Sequence, residues 1–463
     1  MKSKYLFIIC AIVIGGFITS CKKTSFITSS DALLFTSTDT LHFGTVFTAT
    51  GSITQSFKIF NPNDQKLLIN KVALQGGTAS SFKLNIDGTA SSSFSNIEIA
   101  PNDSMYIFVA VNISNGTTNF SFFIQDSIGI NYNGKETFVQ LDAYGQNARF
   151  LKNAAVTKDT LWNSDLPVVI IGAFNVNQGK TLTINKGVQV YCHADAAVTI
   201  NGSLKTFGEK DESERVIFRG DRLDDYYKDL PGSWPGIIFG KSSINNQLSF
   251  TNIYNATNAV FADNPATNNN PKIIMNQCII NNASVTGIFG VYSSINATNC
   301  LISNCANNIK IAAGGNYNFT HCTVASYNTN LLFHETPVLS IGDIDDNNQA
   351  FPLAANFVNS IFYGDDGYVT EEIAIQQTVN NPFSLNFENV LYKSTNIATT
   401  GFINSIQGLA PAFVSIDYTN NKYDFQLLPE SPCVNAGKST SISLDLDGNP
   451  RDTSPDIGCY ELQ

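Results

Sequence analysis

The sequence predicts an all-β protein in two parts, an antiparallel β-sandwich followed by a parallel coil of short strands, and three observations carry that expectation. Asn, Ser, Thr, Ile, Val and Phe are abundant where a helical protein would use Lys and Glu, which favours strands and turns over helices. Between residues 39 and 147, short alternating segments recur about every ten residues. Farther on a longer rhythm appears, with Cys278, Cys300 and Cys322 spaced by 22 and 22 residues.

The first twenty residues have the parts of an export signal: Lys2 and Lys4, an apolar run from Tyr5 to Ile18, and small residues before Cys21. That run is about 14 residues long, short of the roughly 20 that a helix needs to cross a bilayer. Cleavage is therefore expected. Ile18-Thr19-Ser20-Cys21 resembles the lipobox of bacterial lipoproteins, and the resemblance implies that Cys21 opens the mature chain and carries the lipid that ties it to a membrane. The alternative is an ordinary secretory signal with an incidental Cys. Residues 1–20 are then a lipoprotein signal and 21–38 a lipidated linker, in the bacterial cell envelope at the outer membrane. Lys22 and Lys23 follow the Cys where some lineages place an acidic run for surface display, so the periplasmic and surface faces both stay open. Loss of Lys2 and Lys4 moves the formal charge from −11 to −13, which excludes nucleic acid as a partner.

Residues 39–148 supply the sandwich. "TLHFGTVF", "ITQSFKIFN", "KLLINKVAL", "SFKLNI", "SMYIFVAVNI", "IGINYNG" and "FVQLDAYG" make about seven strands, the number and spacing of an immunoglobulin-like domain. The order "HFGTV", "FKIFNPNDQKLLINKV", "APNDSMYIFVAV", "VQLDAYG" resembles the small sandwich family first described in ciliary and centrosomal proteins. That resemblance implies a spacer or binding module and brings no catalytic residues with it.

Residues 150–463 supply the coil. "VTINGSLKTFG", "VIFRG" and "GSWPGIIFG" resemble the opening coils of bacterial right-handed parallel β-helix proteins of pectin-lyase architecture. A 22-residue period suits one turn of three strands and three bends, so roughly twelve coils are expected. Stacked strands lie about 4.8 Å apart. Inward positions want Ile, Val, Leu, Phe or small Cys, and bends want Asn, which tolerates the left-handed conformation; Asn281, Asn282 and Asn304 are read as bend residues. The ending "DLDGNPRDTSPDIGCYE" resembles the family's tail at Asp447, Gly448, Pro450, Arg451, Asp456, Gly458 and Glu461, and is expected to cap the last open strand edge.

Polysaccharide lyases of this architecture use a Lys or Arg base beside a neutralised uronate. Here no Arg lies between Arg222 and Arg451, and the lysines Lys228, Lys241, Lys272, Lys310, Lys393 and Lys422 are scattered, so no basic groove is legible. Gly364-Asp365-Asp366 matches one element of the polygalacturonase pattern without the others, and reads as a solvated bend. Asp343, Asp345 and Asp346 are weak calcium candidates in an insertion, with an exposed polar loop as the competing reading. His42, His193, His321 and His334 show no metal-ligand spacing, although His334-Glu335 follows His321 closely enough to share a face. Trp234 belongs to the opening-coil pattern and reads as packing, near Asp224, Tyr226 and Tyr227 in a loop able to stack on a sugar.

No catalytic residue, cofactor or firm metal site is assigned. The expected function is non-catalytic binding of polysaccharide or an envelope protein by the side of the β-helix. The alternative is a polysaccharide lyase or glycoside hydrolase acting there. Of the seven cysteines left after Cys10 and Cys21, Cys278, Cys300 and Cys322 are expected as a ladder of free thiols, because stacked Cβ atoms about 4.8 Å apart exceed disulfide spacing. Cys433 and Cys459 are the candidates for a disulfide.

Overall fold

The computed structural model describes residues 25–48, 54–113, 122–364, 368–396 and 401–463. Cys21 and the Asp365-Asp366 pair lie outside them. The described residues are all-β, with no α-helix, and the chain divides into a unit ending at Gln146 and a second from Asn147 to Gln463.

The first unit is two packed sheets of five strands. One has the order Phe35–Thr36, Gln55–Asn61, Asp103–Val111, Phe82–Ile86, Thr89–Ser91, and is antiparallel throughout. The other has the order Thr40–Phe47, Lys135–Gln146, Phe122–Tyr132, Leu67–Leu74, Ser93–Ile99; only its first pair is parallel. Alternation decides what faces inward. Phe57 and Ile59 are buried while Lys58 and Phe60 between and beyond them face out. Phe43 and Phe82 join the sheets, with ring centroids 5.6 Å apart. All seven segments read from the sequence fall on strands. The three missed are two short edge strands and Ser93–Ile99, whose Ser and Asn leave little hydrophobic alternation. Part of the segment 21–38, expected as a linker, packs on the sandwich: Ile27 donates to the Lys66 carbonyl at 2.8 Å, and Ala32 is buried in the core.

The second unit is a parallel β-helix. Its parallel sheet pairs strands mostly three positions apart in the chain, three strands to a turn. One inward column runs Trp162, Ile184, Thr206, Leu248, Met275, Ala297, Phe319, Phe357, Phe387, Phe402, one residue per coil. Among the described residues this column counts ten coils and the column from Arg149 to Gln407 eleven, against the roughly twelve expected. Long insertions account for part of the shortfall, for 42 residues separate Thr206 from Leu248 in adjacent coils. At its end the column becomes a stack of rings, Phe319, Phe357, Phe387 and Phe402, with successive centroids 5.5, 4.8 and 4.5 Å apart. Such offset stacking adds about 0.5–1.5 kcal/mol per pair to what burial supplies.

The corners explain the Asn content. One left-handed column is Gln277, Asn299, His321, Asn359, Asn389 and Asn404, with φ of 49, 50, 53, 49, 52 and 49°. A second is Asn255, Asn282 and Asn304, at 60, 62 and 50°. Asn accepts this conformation at less cost than most L residues. Asn281 instead ends the strand Ile279–Asn281. Cys278, Cys300 and Cys322 follow the first corner, wholly buried and free.

The tail differs from the expected end cap. After a hairpin of Phe413–Asp417 with Lys422–Leu427, it lies on the outward side of one sheet, where Leu301, Ile361 and Leu391 pack with Leu446, Ile457, Cys433 and Cys459. Paired apolar residues such as Leu301-Ile302 and Ile361-Phe362 demand this. Neighbours on a strand face opposite ways, so an apolar row is left outside and the tail covers it. Arg451 locks the tail, donating to Glu461 (2.8 Å), Asn299 (2.9 Å) and the Gly458 carbonyl (3.0 Å).

Candidate functional site

A groove of about 340 Å3 lies on the β-helix beside the second Asn corner. Its floor is an outward column of side chains from successive coils, Arg219, Tyr254 and Asn281, with Asn255, Asn282 and Asn304 beside it. One wall is the insertion after strand Val216–Gly220, held down by the ladder itself. Asn255 Nδ2 donates to the Lys228 carbonyl at 2.7 Å and Asn282 Nδ2 to the Asp229 carbonyl at 2.8 Å and to Asn255 Oδ1 at 2.8 Å. The other wall is the tail hairpin, through Asn421 and Tyr423, whose hydroxyl donates to the Asn328 carbonyl at 2.6 Å.

The lining is amide, phenol and carboxylate. Arg219 is its one cation, with Nη2 donating to the Lys228 carbonyl at 2.7 Å and a buried Nε without a partner. Tyr254 is held below the surface, its hydroxyl accepting from Asn252 Nδ2 at 2.8 Å, and burial pushes its phenol up. Glu212 and Asp229, both exposed, are the only acids in the lining. Donors and acceptors in such density, flanked by two tyrosines, suit a hydroxyl-rich ligand.

The residues singled out from sequence do not converge there. Trp234 is wholly buried, its Nε1 donating to the Tyr254 carbonyl at 2.9 Å and its ring 6.4 Å from Phe218, so it packs the coil beneath the groove. Tyr226 is 79% exposed, and Tyr227 lies under the Arg222 guanidinium at 3.8 Å. Asp343, Asp345 and Asp346 are pulled apart in role. Burial would raise Asp343, but bonds from Asn381 and Thr378 outweigh it and hold its carboxyl low. Asp345 caps its own turn through the Gln349 and Asn347 amides. Asp345 and Asp346 line a second groove of about 460 Å3 with Phe289 and Lys310. Among the described residues no three His, Cys, Asp or Glu side chains form a metal-ligand set.

Each histidine has its own partner: His42 with Asp142 and His193 with Asp221, both at 2.7 Å, His334 with Glu372 at 2.8 Å, and His321 with Asn359 at 2.9 Å. Cys433 and Cys459 share the tail cluster as free thiols, with no bond between them. Sequence reasoning missed Lys272. It is not a surface lysine but fully buried, its Nζ donating to the carbonyls of Gly240 (2.8 Å), Lys241 (3.3 Å) and Asp263 (2.6 Å).

No protein-family model matches the chain, and no curated relative matches it. Among solved structures it is similar over limited stretches to a family 123 glycoside hydrolase from Clostridium perfringens, at 9% identity over 27% of this chain and 26% of that one, with a TM-score of 0.18. The E. coli chaperone DraB is similar at 7% identity over 25% of this chain and 55% of its own, with a TM-score of 0.18. A PapD-like (ASH) domain of human CEP192 is similar at 8% identity, over 28% of this chain and 92% of its own, with a TM-score of 0.17. The chain thus spans well under two thirds of the first two, and likenesses this slight carry no functional argument.

Proposed function

We propose that the chain is a lipid-anchored protein of the bacterial cell envelope, at the outer membrane, in which an immunoglobulin-like sandwich stands between acylated Cys21 and a right-handed β-helix that binds glycan along its side. The supporting observation is the groove of Arg219, Tyr254, Asn281, Asn304 and Tyr423, assembled from several coils and the tail. A single partly engaged cation and two acids favour a neutral or weakly charged glycan over a polyuronate. Calorimetric titration of the mature chain against a polysaccharide panel tests this, and Asn281→Ala should weaken a binding glycan by about tenfold, the worth of one good hydrogen bond. Absence of binding across neutral and acidic glycans overturns the reading.

Glu212 and Asp229 in one groove favour a second reading, glycoside hydrolysis by paired carboxylates. Release of reducing ends that is lost in both Glu212→Gln and Asp229→Asn would replace binding with catalysis. Unsaturated products absorbing in the ultraviolet would instead mark a lyase.

A further inference from the structure

We infer that the end of the sandwich carrying Phe35 and Phe60 sits in the membrane interface as a second foothold beside the lipid on Cys21, an inference that rests on the anchored reading above. Five Cα steps separate Cys21 from Phe26, a reach of at most about 18 Å. From Phe26 onward the chain is fixed to the sandwich. Phe26 bridges to Lys66, Asn133 Nδ2 donates to the Ile27 and Ser29 carbonyls at 2.9 and 3.0 Å, and Leu33 and Asn63 exchange bonds of 3.1 and 2.7 Å. A chain acylated at Cys21 therefore holds this end of the domain at the lipid surface.

That same end is apolar. Phe26, Leu33, Phe35 and Phe60 are 37, 52, 55 and 36% exposed. All four lie at the connection between strands Gln55–Asn61 and Leu67–Leu74, Phe26 at Lys66, Leu33 at Asn63 and Phe35 paired directly with Phe60. Lysines border them, with Lys66 Nζ 5.9 Å from the Phe26 ring and Lys58 Nζ 6.0 Å from that of Phe60. Aromatic rings flanked by long cationic stems suit the headgroup boundary, where the ring sinks and the ammonium stays wet. Asp64 and Asp103 are exposed on the same rim, so the attraction is apolar and does not need anionic lipid. The tether raises the local concentration of surface so far that weak intrinsic affinity suffices.

The test places a reporter at Phe35. The lipidated chain bearing Phe35→Trp is bound to phosphatidylethanolamine–phosphatidylglycerol vesicles doped with brominated phosphatidylcholine. Trp162 and Trp234 are buried in the β-helix and give a background measured on the unsubstituted chain. The emission contributed at position 35 should fall at least twofold, and be insensitive to salt. The control is Phe123→Trp, 49% exposed at the far end of strand Phe122–Tyr132, about 30 Å along the strand from the turn that holds Ile27. It should not be quenched. No quenching at 35, or equal quenching at both positions, overturns the inference. Mass spectrometry of the N-terminus reads acylation separately. If Cys21 carries no lipid the anchored reading fails, and a maleimide lipid coupled to the Cys21 thiol of a chain starting there, the seven described cysteines being buried, supplies the tether so that quenching still decides.

Discussion

Replacing Lys272 by Met should cost the β-helix about 3 kcal/mol, although Met nearly matches its volume and the side chain is wholly buried. The Lys272 ammonium donates to three main-chain carbonyls, those of Gly240, Lys241 and Asp263, at two successive bends. Burial pushes its pKa down to about 8, so it remains charged at neutral pH. The Gly240 carbonyl keeps a second donor, the Ser243 amide at 3.0 Å, when the lysine is removed. The Lys241 and Asp263 carbonyls, both part-buried, lose the ammonium, and an acceptor left unmade costs about 1–3 kcal/mol. Backbone acceptors cannot be mutated away together with the lysine, and this separates the case from buried ion pairs that apolar side chains replace without loss. For a unit of this size about 3 kcal/mol lowers the melting temperature by roughly 5 °C. Calorimetry on the full chain should show the larger transition moving and the sandwich's staying. An unchanged or higher melting temperature in Lys272→Met would mean that desolvation of the ammonium cancels its three bonds, and the reasoning fails.

Three further outcomes are expected. Burial first, and then Arg451, push His321 down to about 3 from an ordinary 6.5, so the unfolded chain takes up a proton below 6.5 that the folded chain refuses; stability is full above 6.5 and is lost by up to about 1.4 kcal/mol per pH unit down to 3. His321→Asn, the residue its corner neighbours at 299 and 359 use, should flatten that part of the pH–stability curve, and an identical slope in both proteins refutes the assignment. The seven described cysteines should resist iodoacetamide in the folded protein, since burial raises Cys305, Cys433 and Cys459 to about 12 and Cys278 and Cys300 well above their usual value; peptides linking Cys433 to Cys459 would contradict the free-thiol tail. Chelation with EDTA should leave the melting temperature unchanged, because the Asp343 carboxylate oxygens are already filled by Thr378 and Asn381, and a fall of several degrees restores the calcium reading.

Local patterns determined the two architectures. Period-two alternation in segments such as "SFKIFN" fixes which side chains enter the sandwich, and the 22-residue recurrence of Cys278, Cys300 and Cys322 fixes one coil per repeat, because stacked strands must place like residues in register. Asn at the bends was legible for the same kind of reason, a backbone conformation that few other L residues tolerate. The groove was not legible. Arg219, Tyr254 and Asn281 are 35 and 27 residues apart, intervals set by insertions of unrelated length, and they meet only because hydrogen bonding between coils realigns the strands whatever the loops between them contain. Tyr423 reaches the same groove, and Cys433 the side of the coil, by folding back onto an apolar row whose exposure no single repeat announces. Lys272 reads as one more scattered surface charge until the bends on either side of it close, because two of the carbonyls that solvate it, those of Gly240 and Lys241, lie 32 and 31 residues upstream and meet the ammonium only in the stacked fold.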